Sequence, residues 1–133
     1  MFVLTSLECS VFTVVDIIEP PPPEQNVERN QNITLTCRAS SNTNVTIAWM
    51  LGDKVISEIY GRVSIVTNGF NSTLIIANAQ SSDEGYYSCN ATSPETGLSD
   101  VSTPSKVSVN CKLTVVFDVD SLNINAYIYV NVS

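Results

Sequence analysis

The stretch Asp83-Glu84-Gly85-Tyr86-Tyr87-Ser88-Cys89 has the pattern of a β-strand that buries one face. Beyond Gly85, two sets of residues alternate along the chain, and side chains in a strand alternate between its two faces in this way. The set predicted to face inward is Tyr87, Cys89 and Ala91, and the set predicted to face outward is Tyr86, Ser88 and Asn90. Cys89 is therefore predicted to point into a core.

Two earlier segments carry the same period. The run Ile33-Thr34-Leu35-Thr36-Cys37 is apolar at odd positions and hydroxylated at even positions, so Cys37 is predicted to point inward. The run from Val45 to Met50 places Trp49 on the same side as Val45 and Ile47. Two cysteines and a tryptophan are thus expected in one core.

The remaining segments are also short and alternating, and no helical repeat of apolar positions is sustained. Gly52-Asp53 is predicted to form a turn, and Asn68-Gly69 a tight hairpin turn. A loop is expected from Pro94 to Pro104. The further predicted strands are Val55 to Ile59, Arg62 to Ile65, Thr73 to Ile76 and Lys106 to Val109. The pattern predicts an all-β domain of about seven or eight strands.

Cys37, Trp49 and the motif Asp83-X-Gly85-X-Tyr87-X-Cys89 together resemble the immunoglobulin superfamily. The resemblance spans about Asp16 to Val109. It implies an immunoglobulin-like β-sandwich, in which two packed antiparallel sheets are joined in a Greek key. It also implies a disulfide between Cys37 and Cys89, with Trp49 packed on it.

The resemblance assigns structural roles to three further residues. Tyr87, two residues before the second cysteine, is expected to bond back to the backbone at the strand corner. Arg62 and Asp83 match the charged pair that closes the bottom of the sandwich in variable-like and intermediate-type members. The span between the cysteines, with room for only one added strand, favours the intermediate type.

The chain is 133 residues long, which suits one domain with additional ends. Residues 1–15 are either a weak signal peptide or a leading strand, and residues 16–110 are the predicted domain. Residues 111–133 alternate as a β-hairpin, which is either an extension or the start of an incomplete second domain. The proline run from Pro20 to Pro23 marks a domain or sub-strand boundary.

Charge and composition argue against several classes of function. The net charge is −7 with six scattered Lys and Arg, so no basic stripe for nucleic acid is present. No apolar run reaches the roughly 20 residues of a membrane-spanning helix, and membrane contact is expected only through parts outside this chain. Histidine is absent, so catalytic histidine pairs and the commonest metal ligand are missing. We expect no enzyme activity, small-molecule substrate, cofactor or metal.

An acidic pair in the C-terminal segment has part of the pattern of a calcium site. Asp118 and Asp120 have the spacing of the first ligands of an EF-hand loop, but position 122 is Leu and no glycine follows. Two solvated carboxylates near a turn are the simpler interpretation.

Four cysteines allow three connectivities. Once Cys37 and Cys89 are paired, the remaining bridge would join Cys9 to Cys111. If residues 1–15 are cleaved instead, Cys111 is left unpaired and available for an interchain disulfide.

Five Asn-X-Ser/Thr sequences are candidate glycosylation sites, and together with the cysteines they favour an extracellular location, at the cell surface or secreted. Chance occurrence in a chain rich in Asn and Thr is the alternative. The acceptors are Asn32, Asn44, Asn71, Asn90 and Asn131.

Partner binding is predicted on the outward face of the sheet built from residues 45–50 and 85–92. Met50 and Tyr86 are the expected contact residues, because methionine and tyrosine are enriched at protein interfaces. A glycan on Asn90 would mask part of this face.

Three hypotheses for the function of the chain follow: a module of a cell-surface adhesion or recognition receptor, a free secreted immune-type binding protein, and a structural spacer in a tandem array. The protein ligand could be homophilic or heterophilic.

Overall fold

A computed structural model describes residues 13–111 in full and the backbone of residues 113–120 and 123–130. Within residues 13–111 the chain forms ten strands and one short 3-10 helix, Ser81–Asp83. The strands are β1 (Val15–Glu19), β2 (Glu24–Glu28), β3 (Ile33–Ser41), β4 (Thr46–Leu51), β5 (Lys54–Val55), β6 (Val63–Asn68), β7 (Asn71–Ile76), β8 (Gly85–Thr92), β9 (Ser99–Val101) and β10 (Ser105–Asn110).

The strands form two sheets, which we call the back sheet and the front sheet. The back sheet has the order β1-β3-β7-β6, and the front sheet has the order β2-β10-β8-β4-β5, with β9 pairing with β8. The predicted immunoglobulin-like sandwich is confirmed. The front sheet is mixed, however, because β2 and β10 pair in parallel, whereas both sheets were expected to be antiparallel.

The proline run lies where the chain passes from one sheet to the other. β1 pairs with β3 in the back sheet, and β2 pairs with β10 in the front sheet. Proline cannot donate a ladder hydrogen bond, so the run ends one strand before the next begins. The predicted sub-strand boundary is therefore present between β1 and β2.

Two segment predictions were wrong. The strand expected from Val55 to Ile59 is only Lys54–Val55, because the chain then leaves the front sheet and Ile59 pairs with Val63 at the start of β6 in the back sheet. The segment expected to be a loop from Pro94 to Pro104 contains β9. β9 and the division of the N-terminal segment into β1 and β2 raise the number of strands in residues 13–111 to ten, above the expected seven or eight.

The two sheets bury one main apolar core. Alternation along β3, β7 and β8 supplies most of it, as the sequence predicted. The fully buried members with the largest side chains include Trp49, Tyr87, Ile33, Leu35 and Leu74. The core holds the two facing sheets together and so fixes the surface that the front sheet presents outward.

The C-terminal segment forms the predicted hairpin. β11 (Leu113–Asp120) and β12 (Asn123–Val130) pair antiparallel as a two-stranded sheet. The register places the predicted apolar positions of the two strands opposite each other, for example Val115 opposite Ile128.

Candidate functional site

The front sheet is tied to the back sheet by a disulfide between Cys37 on β3 and Cys89 on β8. Trp49 lies beside it in the core and is fully buried. A buried indole N–H needs an acceptor, and Trp49 donates to the Oγ of Ser72 at 2.9 Å. Ser72 was not among the predicted residues, although it alternates in phase with Leu74 and Ile76 on β7.

A hydrogen-bonded corner holds the start of β8. The Tyr87 hydroxyl donates to the carbonyl oxygen of Asp83 at 2.5 Å, as the resemblance implied. Arg62 lies 2.5 Å from the Asp83 carboxylate and also donates to the carbonyl of Ala77. Burial, and secondarily the charge of Asp83, raise the pKa of Tyr87 to about 12. The phenol therefore remains a donor throughout the physiological pH range.

Gly85 allows β4 and β8 to approach closely at this corner. A Cβ atom on Gly85 would lie 2.7 Å from the Cδ1 atom of Leu51. A side chain at this position would therefore push Leu51 aside. The glycine of the sequence motif thus has a packing role.

The outward face of the front sheet is defined by cross-strand pairs. Asn90 on β8 lies between Ala48 on β4 and Val101 on β9. Met50 lies between Ser88 on β8 and Val55 on β5. Because cross-strand partners share a face of the sheet, these side chains form two neighbouring rows. We call this surface the front face.

Exposed apolar area on the front face comes from residues on three strands. Tyr86 is 56% exposed, Val55 57% and Val101 53%. Met50 was expected to be exposed, but it is half-buried between its cross-strand neighbours Ser88 and Val55. Val55 and Val101 were not predicted. The hairpin register around Gly52-Asp53 could have indicated Val55, but Val101 lay in the presumed loop.

A charged row crosses the front sheet at the level of Tyr86. Lys106 on β10 is the cross-strand partner of Tyr86, and Glu24 on β2 is the partner of Lys106. On the other side, the N–H of Gly52 bonds to the carbonyl of Tyr86, which places the exposed Asp53 at the same level. Lys54 pairs with Leu51, whose partner on β8 is the buried Tyr87, so Lys54 lies on the inward side at the sheet edge and not on the front face. The row therefore contains Glu24, Lys106, Tyr86 and, in the turn at its end, Asp53, and we call it the Tyr86 row.

Lys106 of the Tyr86 row is in no ion pair within the described part of the chain. The ion pairs found there are Arg38 with Glu19 and Arg62 with Asp83. Lys106 is exposed. In a chain of net charge −7, it is an unpaired positive charge on this face.

The candidate glycosylation sites lie on different surfaces. Asn32, Asn44 and Asn71 are exposed, and Asn90 is half-buried on the front face. Asn44 lines a polar cleft with Phe70, the neighbour of Asn71, so these two sites share one pole of the sandwich. Asn131 lies outside the described residues. Occupancy of all five sites remains a prediction.

The two ends of the domain lie at opposite poles. Val15 pairs with Ser41 at one pole, whereas Asn110 accepts a bond from the N–H of Arg29 at the other. Counted along the strands, Val15 and Cys111 are separated by about twelve residues, or about 40 Å.

Cys111 is exposed and unbonded among the described cysteines, while Cys9 lies outside the described residues. The pairing of Cys9 with Cys111, and the alternative in which Cys111 is left for an interchain disulfide, therefore both stay predictions.

The described residues contain no helix that is long and apolar enough to cross a membrane.

Comparison with known proteins identifies the family. The model of the immunoglobulin domain matches residues 16–93. The peroxidasin homolog of Caenorhabditis briggsae is 30% identical over 109 residues, which cover 77% of this chain and 8% of that protein. Protein sidekick of Drosophila melanogaster is 33% identical over 79 residues, covering 59% of this chain and 3% of that protein.

Solved structures agree on the fold. Titin domain M7 superposes with a TM-score of 0.66 at 18% identity, over 75% of this chain and 98% of that chain. Like the intermediate type, the present domain has one short added strand, β5, where variable domains add two. The chain belongs to the immunoglobulin-domain family.

Proposed function

We propose that this chain is a non-enzymatic extracellular module of a cell-surface adhesion or recognition receptor, and that it binds a protein partner through the front face. The observation that carries the proposal is the exposed apolar surface formed by Tyr86, Val55 and Val101 around Met50. Tyrosine contributes a large contact area at low entropic cost, so Tyr86 is the expected anchor.

The relatives support an extracellular setting. One of them is the basement membrane-specific heparan sulfate proteoglycan core protein of Mus musculus, 35% identical over 72 residues. The buried disulfide supports an oxidising compartment as well, since structural disulfides are rare in the cytosol. Neither observation identifies the ligand.

A spacer role is the second candidate, and the positions of the chain ends favour it. The domain begins and ends at opposite poles, as a link in a linear array would. The relatives are long, and this chain spans only 8% and 3% of the first two. A spacer needs no exposed contact residues, so the front face distinguishes the two roles.

The test compares two double variants, one changed on the front face and one changed elsewhere by the same kinds of substitution. Beads carrying many copies of the chain are offered to cells of the source tissue, and bound beads are counted. Met50→Lys with Tyr86→Ser should reduce binding at least about tenfold, because a buried charge replaces an apolar contact and the anchor is lost.

The control is Val66→Lys with Tyr60→Ser. Val66 is exposed on the back sheet, and Tyr60 is fully exposed on the connection between β5 and β6. This control should bind like the parent chain. Equal binding by both variants and the parent would refute the front-face proposal and favour the spacer role.

A further inference from the structure

A polar cleft lies at the pole of the sandwich where β3 ends. Its volume is about 320 Å³, and sites for small ligands have volumes of about 300–1,000 Å³, so it has room for one small ring. The lining comes from the end of β3 and from the connections β3 to β4, β6 to β7 and β8 to β9. The lining residues are Ser41, Asn42, Thr43, Asn44, Phe70 and Glu95.

Phe70 is the apolar member of this lining. It lies in the turn between β6 and β7 and is 39% exposed. The face of an aromatic ring carries partial negative charge and attracts C–H groups, which carry a small positive charge. A ligand that fits the cleft therefore needs C–H groups on one side, for Phe70, and polar groups at its edge. A sugar ring has both.

The rim of the cleft supplies hydrogen-bonding groups for such an edge. The hydroxyls of Ser41 and Thr43 lie 3.2 Å apart, so the two side chains hold each other in place. Glu95 is exposed, and its carboxylate takes part in no ion pair found in residues 13–111. A free carboxylate is a strong acceptor for hydroxyl and amide donors.

The cleft also contains an attachment point for a sugar. Asn44-Val45-Thr46 has the N-glycosylation pattern, and Asn44 is exposed. Among the candidate acceptors in residues 13–111, Asn44 is the one that lines the cleft. The other described acceptors differ in setting: Asn32 accepts a bond from the N–H of Asn78 at 3.3 Å, and the Oδ1 atom of Asn90 is buried.

We propose that an N-linked glycan on Asn44 lies in this cleft, with its first N-acetylglucosamine packed on the ring of Phe70. The bond from Nδ2 of Asn44 to C1 of the sugar forms as the C1–O bond to the diphosphate of a lipid-linked donor breaks and the amide nitrogen loses a proton. The inference rests on the proposed function, because a chain receives such a glycan only on the extracellular route.

The sugar then links three connections that are distant in the sequence. Asn44, Phe70 and Glu95 contact one ring, and these contacts exist only when the sandwich is folded. Because the sugar is attached to the unfolded chain as well, the folded-state contacts alone contribute to stability. The glycan therefore stabilises this pole of the domain and covers it.

The experiment uses the full 133-residue chain, secreted from mammalian cells that make only high-mannose glycans. An endoglycosidase trims each glycan to its first sugar, which keeps the proposed contact and removes the rest. The forms compared are the parent, Asn44→Gln, Phe70→Ser and the double variant. Urea unfolding measures the folding equilibrium constant of each form.

Phe70→Ser should lower the folding equilibrium constant about three- to tenfold more in the parent than in Asn44→Gln, because the contact between ring and sugar exists only where the sugar is present. Comparing the two backgrounds cancels the effect of Phe70→Ser on the protein itself. Asn32→Gln is the matched control, since Asn32 precedes β3 at its other end. Phe70→Ser should cost the same in Asn32→Gln as in the parent.

A second readout does not depend on stability. In NMR spectra of the chain with ¹³C-labelled sugars, the ring current of Phe70 should shift the ring protons of the sugar on Asn44 upfield. These signals are identified by their loss in Asn44→Gln. In Phe70→Ser they should return to the positions of an exposed sugar.

Two results would overturn the inference. A secreted chain in which peptide mass spectrometry finds no sugar on Asn44 would show that the cleft is not a glycan site. An occupied Asn44 with neither the extra effect of Phe70→Ser nor the upfield shift would show that the sugar lies away from the ring. Neither result affects the proposed function, which fails instead if Met50→Lys with Tyr86→Ser leaves bead binding unchanged.

Discussion

Replacing Cys37 with Ala should lower the free energy of unfolding by about 4 kcal/mol. The disulfide closes a loop between residues 52 positions apart, and the chain-entropy model assigns about this value to a loop of that length. Both cysteines are fully buried, so the loss of packing adds to the effect. Since domains of this size are stable by about 5–15 kcal/mol, much of the stability depends on this bond. Urea unfolding followed by tryptophan fluorescence measures the change.

The matched control for this substitution is Cys111→Ala. Cys111 is exposed, and exposed substitutions of this kind usually change stability by less than about 0.5 kcal/mol. If Cys37→Ala and Cys111→Ala unfold at the same urea concentration, the Cys37–Cys89 disulfide does not stabilise the domain, and the role assigned to it is wrong.

Trp49→Ala should destabilise the domain by about 3–5 kcal/mol, the usual cost of removing a large buried aromatic side chain. Trp49 is fully buried and contacts the core around the disulfide. Its loss also leaves the hydroxyl of Ser72 with only Thr67 as a partner. Trp49→Phe should cost less, because the ring volume is partly kept and only the N–H donor is lost.

Circular dichroism during urea unfolding measures both tryptophan variants, since their fluorescence differs from that of the parent. Tyr60→Ala is the control, because that aromatic side chain is fully exposed. If Trp49→Ala lowers the free energy of unfolding no more than Tyr60→Ala does, the tryptophan does not stabilise the core.

The sequence predicted the elements that depend on local alternation. The inward positions of Cys37, Trp49 and Cys89 follow from a period of two, and all three are fully buried. The ion pair of Arg62 with Asp83 was available through the family resemblance, since nothing in the local pattern links residues so far apart.

The errors arose where tertiary contacts override local pattern. Ile56 and Ile59 continue the apolar pattern after Val55, but Ile59 pairs with Val63 of the back sheet and not with β4. β9 is short and polar, and it is held partly by the carboxylate of Asp100, which accepts a bond from the N–H of Ile17 at 2.7 Å. Alternation cannot reveal such a strand.

Predicting the candidate site requires the register between neighbouring strands as well as the alternation along each strand. The phase of β4 and β8 placed Met50 and Tyr86 on one face, as predicted. The Tyr86 row, however, depends on how Lys106 and Glu24 align with Tyr86 across three strands. That alignment is fixed by long-range pairing, which the sequence does not reveal by itself.

That the domain is oxidised and secreted is measured by the intact mass of the chain expressed in mammalian cells, with and without glycosidase and reductant. We expect a secreted, glycosidase-sensitive product in which Cys37 is bonded to Cys89. An unsecreted, unglycosylated product with free thiols at Cys37 and Cys89 would show that the extracellular assignment is wrong.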